Sequence, residues 1–126
     1  MAVLDASALL ALLQDEPGAD AVASRLPNSA ISAVNLSEVV AKLTERGVPA
    51  AELRQALDGM ALDVRPFDTE AAYAAGSLRR ATRTLGLSLG DRACLALAMQ
   101  LDAVALTTDR AWLGLPDVAV RVEAVR

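Results

Sequence analysis

The chain has 126 residues, a net charge of −4 and 54% apolar residues, so it is expected to form one domain, residues 1–126, with enough apolar material for a real core. It contains no histidine and a single cysteine, Cys94, which excludes Ser-His-Asp and Cys-His catalysis, ordinary zinc sites and an internal disulfide framework. Its three aromatic residues, Phe67, Tyr73 and Trp112, offer few stacking platforms, and its acidity argues against a general nucleic-acid coat.

The opening stretch, MAVLDASALLALL, sets the pattern. Ala2-Val3-Leu4 is too short for a helix and suits a buried strand; Ala8 to Leu13 suits a buried helix. Asp5 falls between them, at the kind of strand end where open α/β sheets bind ligands. Asp5 also interrupts the apolar run, and no charged segment precedes it, so no signal peptide is expected. No stretch approaches the roughly 20 apolar residues of a membrane span, and a soluble cytoplasmic protein is the expectation.

Glu16-Pro17-Gly18 breaks the first helix, and Ala19, Val22, Ala23 and Leu26 form the apolar face of the next, ended by Pro27-Asn28. Ala30 to Ser32 is a short strand. Leu36, Val39, Val40 and Leu43 keep helical spacing, with a stop near Gly47. Leu53, Ala56, Leu57 and Met60 repeat it, with Gly59 at the end. Leu62 to Phe67 reads as a strand, and Pro66 places it at an edge or marks its end. A long helix is predicted from Asp68-Thr69-Glu70, with Asp68 as its cap, to about Leu85, before Gly86. Gly90 to about Leu101 is apolar on nearly all sides and so central. Val104 to Thr107 is a strand, and Val118 to Val125 a last, half-exposed strand. This alternation predicts an α/β domain with a mainly parallel central sheet and helices on both faces.

Four acids fall at strand ends or helix starts: Asp5, Glu38, Asp91 and Asp109. With parallel strands, all four can converge on one rim. Clustered carboxylates raise one another's pKa, and a divalent cation relieves that repulsion. Oxygen ligands without His or Cys select Mg²⁺ or Mn²⁺. Each acid also has a plain structural role open to it. Ser88-Leu89-Gly90-Asp91 and Asn35-Leu36-Ser37-Glu38 both match the capping box, and Asp109 can cap a turn. Asp5 is the hardest to explain this way, because an unpaired charge between two apolar runs is costly. Ser7, Thr108 and Asn35 are candidate hydrogen-bond partners of the acids. Arg79, Arg80 and Arg83, together with Arg92 and Arg110, which each follow an acid, are candidate phosphate contacts, although a solvated helix face explains the first three as well.

Four segments carry a resemblance. Val3 to Leu13 (VLDASALLALL), Asn35 to Val39 (NLSEV), Leu87 to Ala98 (LSLGDRACLALA) and Leu106 to Trp112 (LTTDRAW) resemble, in order, the signature segments of PIN domains. The order and length are similar to those of VapC toxins of bacterial type II toxin–antitoxin pairs. The resemblance implies a PIN-like fold and a Mg²⁺- or Mn²⁺-dependent endoribonuclease that cleaves RNA by metal-activated water attack. It places Asp5, Glu38, Asp91 and Asp109 as metal-binding and catalytic acids, with Ser7 and Thr108 at polar positions nearby; on the chemistry, Asp5 and Asp91 are expected as direct ligands, with Glu38 and Asp109 completing the cage or holding metal-bound waters. It also implies a homodimer and a cognate VapB-like antitoxin. The competing possibilities are a catalytically inactive PIN-like binding module and a phosphoacceptor signalling domain. The latter wants an acid pair and a strand-end lysine, whereas Lys42, the only lysine, lies on a helix. A haloacid-type phosphatase wants D-x-D, and the chain has Asp5-Ala6-Ser7.

Overall fold

The computed structural model describes residues 1–116 and 118–126. Among them, five strands form one sheet: β1 (Ala2–Leu4), β2 (Ser29–Ser32), β3 (Asp63–Arg65), β4 (Val104–Thr107) and β5 (Val122–Ala124). Every strand pairing is parallel, in the order β3-β2-β1-β4-β5. The chain therefore steps from β1 to one side through β2 and β3, then returns to the other side with β4 and β5. The switch point lies between β1 and β4, and ligands in open parallel sheets bind at such a point, beyond the strand ends.

The helices are α1 (Ala6–Leu13), α2 (Ala19–Arg25), α3 (Ala33–Glu45), α4 (Ala50–Gly59), α5 (Thr69–Ser77), α6 (Arg79–Thr82) and α7 (Leu89–Leu101), with shorter 3₁₀ turns between elements. Strand alternation sorts them into two layers. Val3, Ala30 and Ala105 face a core shared with Ala75, Leu78, Leu87, Trp112 and α7. Ala2, Leu4, Ile31, Val104 and Leu106 face the opposite core, with Leu9, Val22, Val39 and Leu53 from α1 to α4. The expected helices on both faces are thus present. The small residues Ala93, Cys94, Ala96 and Ala98 let α7 lie close to the sheet, where the Cys94 thiol meets the Val3 carbonyl at 3.9 Å.

Most boundaries follow the local signals. β3 ends just before Pro66 at one edge of the sheet. The Asp68 carboxylate caps α5 by accepting from Ala71 N at 2.9 Å. Two elements differ. The long helix predicted to Leu85 ends at Ser77 and continues as α6 and a 3₁₀ turn at Arg83–Leu85. Gly76 and Ser77 are weak helix formers. Just beyond them the buried Thr82 hydroxyl bonds the Leu78 carbonyl at 2.8 Å, a contact that bends helices. The last strand is only Val122–Ala124, although it is half exposed as expected. Its end folds over the α1–α2 turn. Gly18 there has φ +99°, and a Cβ would collide with the Val125 carbonyl, so only glycine fits. Among the described residues, no helix is long and apolar enough to cross a membrane.

Candidate active site

Asp5 is the first residue after β1, and its amide still bonds the Leu106 carbonyl of β4 at 3.0 Å. It lies on the switch point and is 4% exposed. One carboxylate oxygen, Oδ1, accepts from the Ser7 hydroxyl at 2.7 Å and from Ala8 N at 2.8 Å, which caps α1. Oδ2 accepts from the Thr107 hydroxyl at 2.6 Å. The Thr107 oxygen also accepts from Asp109 N at 3.0 Å, and Ser7 Oγ accepts from Thr108 N at 3.0 Å. Asp5 is therefore locked in one orientation by both strands of the switch point.

Three hydrogen bonds do not offset the burial. Desolvation pushes the Asp5 carboxyl up to about 6, against the lowering effects of Thr107, Ser7 and the Ala8 amide, and the charge of Asp91 adds to the rise. Burial likewise raises Glu38, with a further push from Asp91 and a partial offset from its bond to Asn35. Cys94, fully buried beneath, is pushed well up by desolvation and then by Asp5, Asp91 and Glu38. It is a packing residue with no exposed thiolate.

Glu38 and Asp91 stand across a depression of about 460 Å³ that Asp5, Ser7, Lys42 and Glu45 also line. Asn35, 1% exposed, donates from one amide nitrogen to Glu38 Oε1 at 3.0 Å and to the Gly90 carbonyl at 2.9 Å. It thereby fixes the Glu38 carboxylate against the first turn of α7. Gly90 leaves the space for this, because any Cβ there would overlap the Glu38 carboxylate. Gly90→Ala should therefore displace Glu38 while the helix itself, which favours Ala, still forms. We expect a fall in activity with a melting temperature within a few degrees of wild type; unchanged activity would mean that the position of Glu38 is unimportant.

Asp91 has a structural role besides. Its Oδ2 accepts from Ser88 N at 2.9 Å while Ser88 Oγ accepts from Asp91 N at 3.2 Å, a complete capping box. The same residue closes the capping box and lines the pocket. Asp109 does not share that wall. It lies just beyond β4, but its carboxylate accepts from Ala111 N at 3.0 Å and it does not line the depression.

Three of the four acids thus face one pocket, and among the described residues no three potential metal ligands are gathered into a finished cage. The donor set still suits a hard cation. It is all oxygen, it has no histidine, and none of the ion pairs among the described residues involves these acids. Burial raises the Asp5 and Glu38 carboxyls and so makes their ionised forms costly in the chain alone, a cost that a bound cation would offset.

The expected supporting residues fare differently. Ser7 and Asn35 contact the acids directly. Thr108 does not: it contributes its amide, and the hydroxyl on Asp5 belongs to Thr107. The register pairs Leu4 with Leu106, so the residue after β1 meets the last residue of β4. The arginines lie outside the pocket. Arg92 Nη1 donates to the Ala75 carbonyl at 3.1 Å and ties α7 to α5. Arg110 Nη1 donates to the Arg126 carbonyl at 3.3 Å. Arg79, Arg80 and Arg83 are exposed on α6 and the turn after it. The cation on the pocket wall is Lys42, one helical turn after Glu38, a spacing that puts both on one helix face.

The family model of the PIN domain matches residues 2–118. No curated protein sequence matches the chain. Solved structures do. A toxin–antitoxin complex from Klebsiella pneumoniae is similar at 19% identity and TM-score 0.77, covering 100% of this chain and 98% of that one. DNA-bound VapBC from Salmonella typhimurium is similar at 19% identity and TM-score 0.75, covering 99% and 98%. VapBC2 from Rickettsia felis, bound to promoter DNA, is similar at 17% identity and TM-score 0.73, covering 98% and 97%. At these identities the likeness establishes a common fold over the whole chain.

Proposed function

The chain belongs to the PIN domain family, and on that premise we propose that it is a divalent-metal-dependent endoribonuclease, the toxin of a VapBC-type pair. Asp5, Glu38, Asp91 and Asp109 are its proposed metal-binding and catalytic acids. The observation that carries this reading is Asp5, a buried carboxylate on the switch point, oriented by three hydrogen bonds and facing Glu38 and Asp91 with no cationic partner among the described residues. Capping α1 needs only a side-chain acceptor, which a neutral residue supplies without a buried charge, whereas a cation-binding site needs the charge.

Asp5, Asp91 and Glu38 would hold Mg²⁺ or Mn²⁺, with Asp109 supporting the set from the next loop as an outer partner. The bound ion supplies Lewis-acid activation of water and of the scissile phosphate. The chain's own residues orient the site. Thr107 and Ser7 fix both oxygens of Asp5, Asn35 fixes Glu38, and Ser88 fixes Asp91. Each ligand is thus set before substrate arrives, which is what electrostatic preorganisation requires. Incubation with cellular RNA should give defined cleaved ends that vanish with a chelator and return with Mg²⁺ or Mn²⁺. Persistence of cleavage in the chelator would reject the metal site, and an absence of cleavage under all conditions would favour an inactive binding module.

The similar structures are toxin–antitoxin complexes, which supports a protein antitoxin as partner; a homodimer of this chain is proposed beside it. Light scattering should give about twice the 13.1 kDa chain mass, and a larger complex once the product of an adjacent small reading frame is added. A monomer that ignores that product would overturn both assignments.

A further inference from the structure

Glu38 is a wall shared by two depressions. On one side is the acidic pocket with Lys42 at its edge. On the other is a second depression of about 570 Å³, walled mainly by Val34, Phe67 and Leu89, with Ser37 and Ser88 at hand. Phe67 is the only phenylalanine in the chain, half buried in the loop after β3. Leu89 is 51% exposed on the first turn of α7. The second depression opens along the first turns of α3 and the acidic pocket along the turns that follow, with Glu38 between them. Lys42 lies about 6 Å, just over one turn, further along that helix than Glu38. Among the described residues its ammonium forms no ion pair, although Glu38 and Glu45 are within reach in sequence.

Resting on the ribonuclease reading above, we propose that a single RNA strand crosses the site over Glu38, seating one unstacked base against Phe67 and Leu89 while Lys42 holds a phosphate on the opposite side. An apolar, aromatic-lined recess fits the face of a base, and the two serine hydroxyls offer hydrogen bonds to its edge. Lys42, on a wall it shares with Asp5, Glu38, Glu45 and Asp91, supplies positive charge for the strand's phosphates, which those carboxylates repel. Continuity through Glu38 puts the base and the phosphate on adjacent positions of one chain, with the carboxylates between them. A duplex keeps its bases stacked, so the arrangement selects unpaired RNA.

The test is anisotropy with a labelled mixed-sequence RNA hexamer, single-stranded and as a duplex, in Ca²⁺ across a salt series. Wild-type cleavage of the same single strand in Mg²⁺ is measured alongside. Phe67→Leu, which keeps the packing and loses the ring, should bind the single strand roughly five- to tenfold more weakly with an unchanged salt slope. Phe67→Tyr should restore it. Lys42→Gln should weaken binding of every sequence and lower the slope of log affinity against log salt by about 0.7. Wild type should prefer the single strand. Normal binding by both Phe67→Leu and Lys42→Gln, with wild-type cleavage intact, overturns the path alone. Equal affinity for duplex overturns the seated base. Phe67→Leu that binds RNA normally but loses a protein partner assigns the recess to that partner and overturns the proposal. A wild-type chain that neither binds nor cleaves the strand removes the ribonuclease reading and this inference together.

Discussion

Asp5→Asn should abolish RNA cleavage and, in the metal-free protein, raise stability at neutral pH. The two effects have one origin. Burial holds the Asp5 carboxyl near 6 in the folded chain, against an ordinary value of 3.8. The folded state therefore binds the proton more tightly than the unfolded state. Stability from this group is complete below about pH 4 and is lost as pH rises through 6. By pH 7.5 the ionised form opposes folding by an amount on the order of 3 kcal/mol, which is an upper bound for the gain on removing the charge. Asparagine keeps the local bonds. Its oxygen can accept from Ser7 and Ala8, and its amide can donate to Thr107, whose hydroxyl is free to turn. We expect a melting temperature higher by roughly 5–10 °C at pH 7.5, shrinking to nothing below pH 4, with no detectable cleavage. A lower melting temperature at pH 7.5 would make Asp5 a structural residue, and retained cleavage would remove it from the catalytic set.

Asp91→Asn and Asp109→Asn separate the remaining acids. Asp91 lines the pocket with Asp5 and Glu38, whereas the Asp109 carboxylate is engaged on Ala111 N. Loss of a direct ligand should cost more than the roughly 10- to 100-fold typical of an outer partner, so kcat/KM should fall more than about 100-fold in Asp91→Asn. Asp109→Asn should stay within the outer-partner range. Neither variant should unfold. Asparagine at position 91 still accepts from Ser88 N, and at position 109 it still caps the 3₁₀ turn, so each loses only the helix-end charge effect of about 1 kcal/mol or less. The measurement is kcat/KM across a Mg²⁺ titration with melting curves in parallel. Equal losses in the two variants would mean that Asp109 swings into the pocket when the cation binds.

Capping and catalysis are not exclusive roles at Asp91. The third-position acid of a capping box accepts from the N-cap amide and is left oriented by its own backbone, close to the positive end of the helix. The Ser88–Asp91 box therefore fixes Asp91 beside Gly90, and Gly90 in turn makes room for Glu38. Asn35 closes the loop from α3 by holding both. These residues position one another before any substrate binds.

The sequence by itself determined the local pieces. Apolar period separates β1 from α1, Pro and Gly set most helix ends, and an acid after a buried strand marks Asp5. Those signals act over a few residues, through sterics, capping and burial of one face, and so they can be read in a row of letters. The PIN signature segments named the acids for the same reason: each is a short local string. Tertiary structure decided who meets whom. The register of β1 against β4 chose Thr107 over Thr108, across 102 positions of sequence. Packing of α7 on α5 turned Arg92 onto Ala75 and away from the pocket. Folding brought Phe67 beside Glu38, made Lys42 the pocket's cation, and kept Asp109 on its own turn. Periodicity shows that a side chain is buried but not against which strand or helix. That choice is made by long-range packing of the whole domain, where one residue of register exchanges every neighbour.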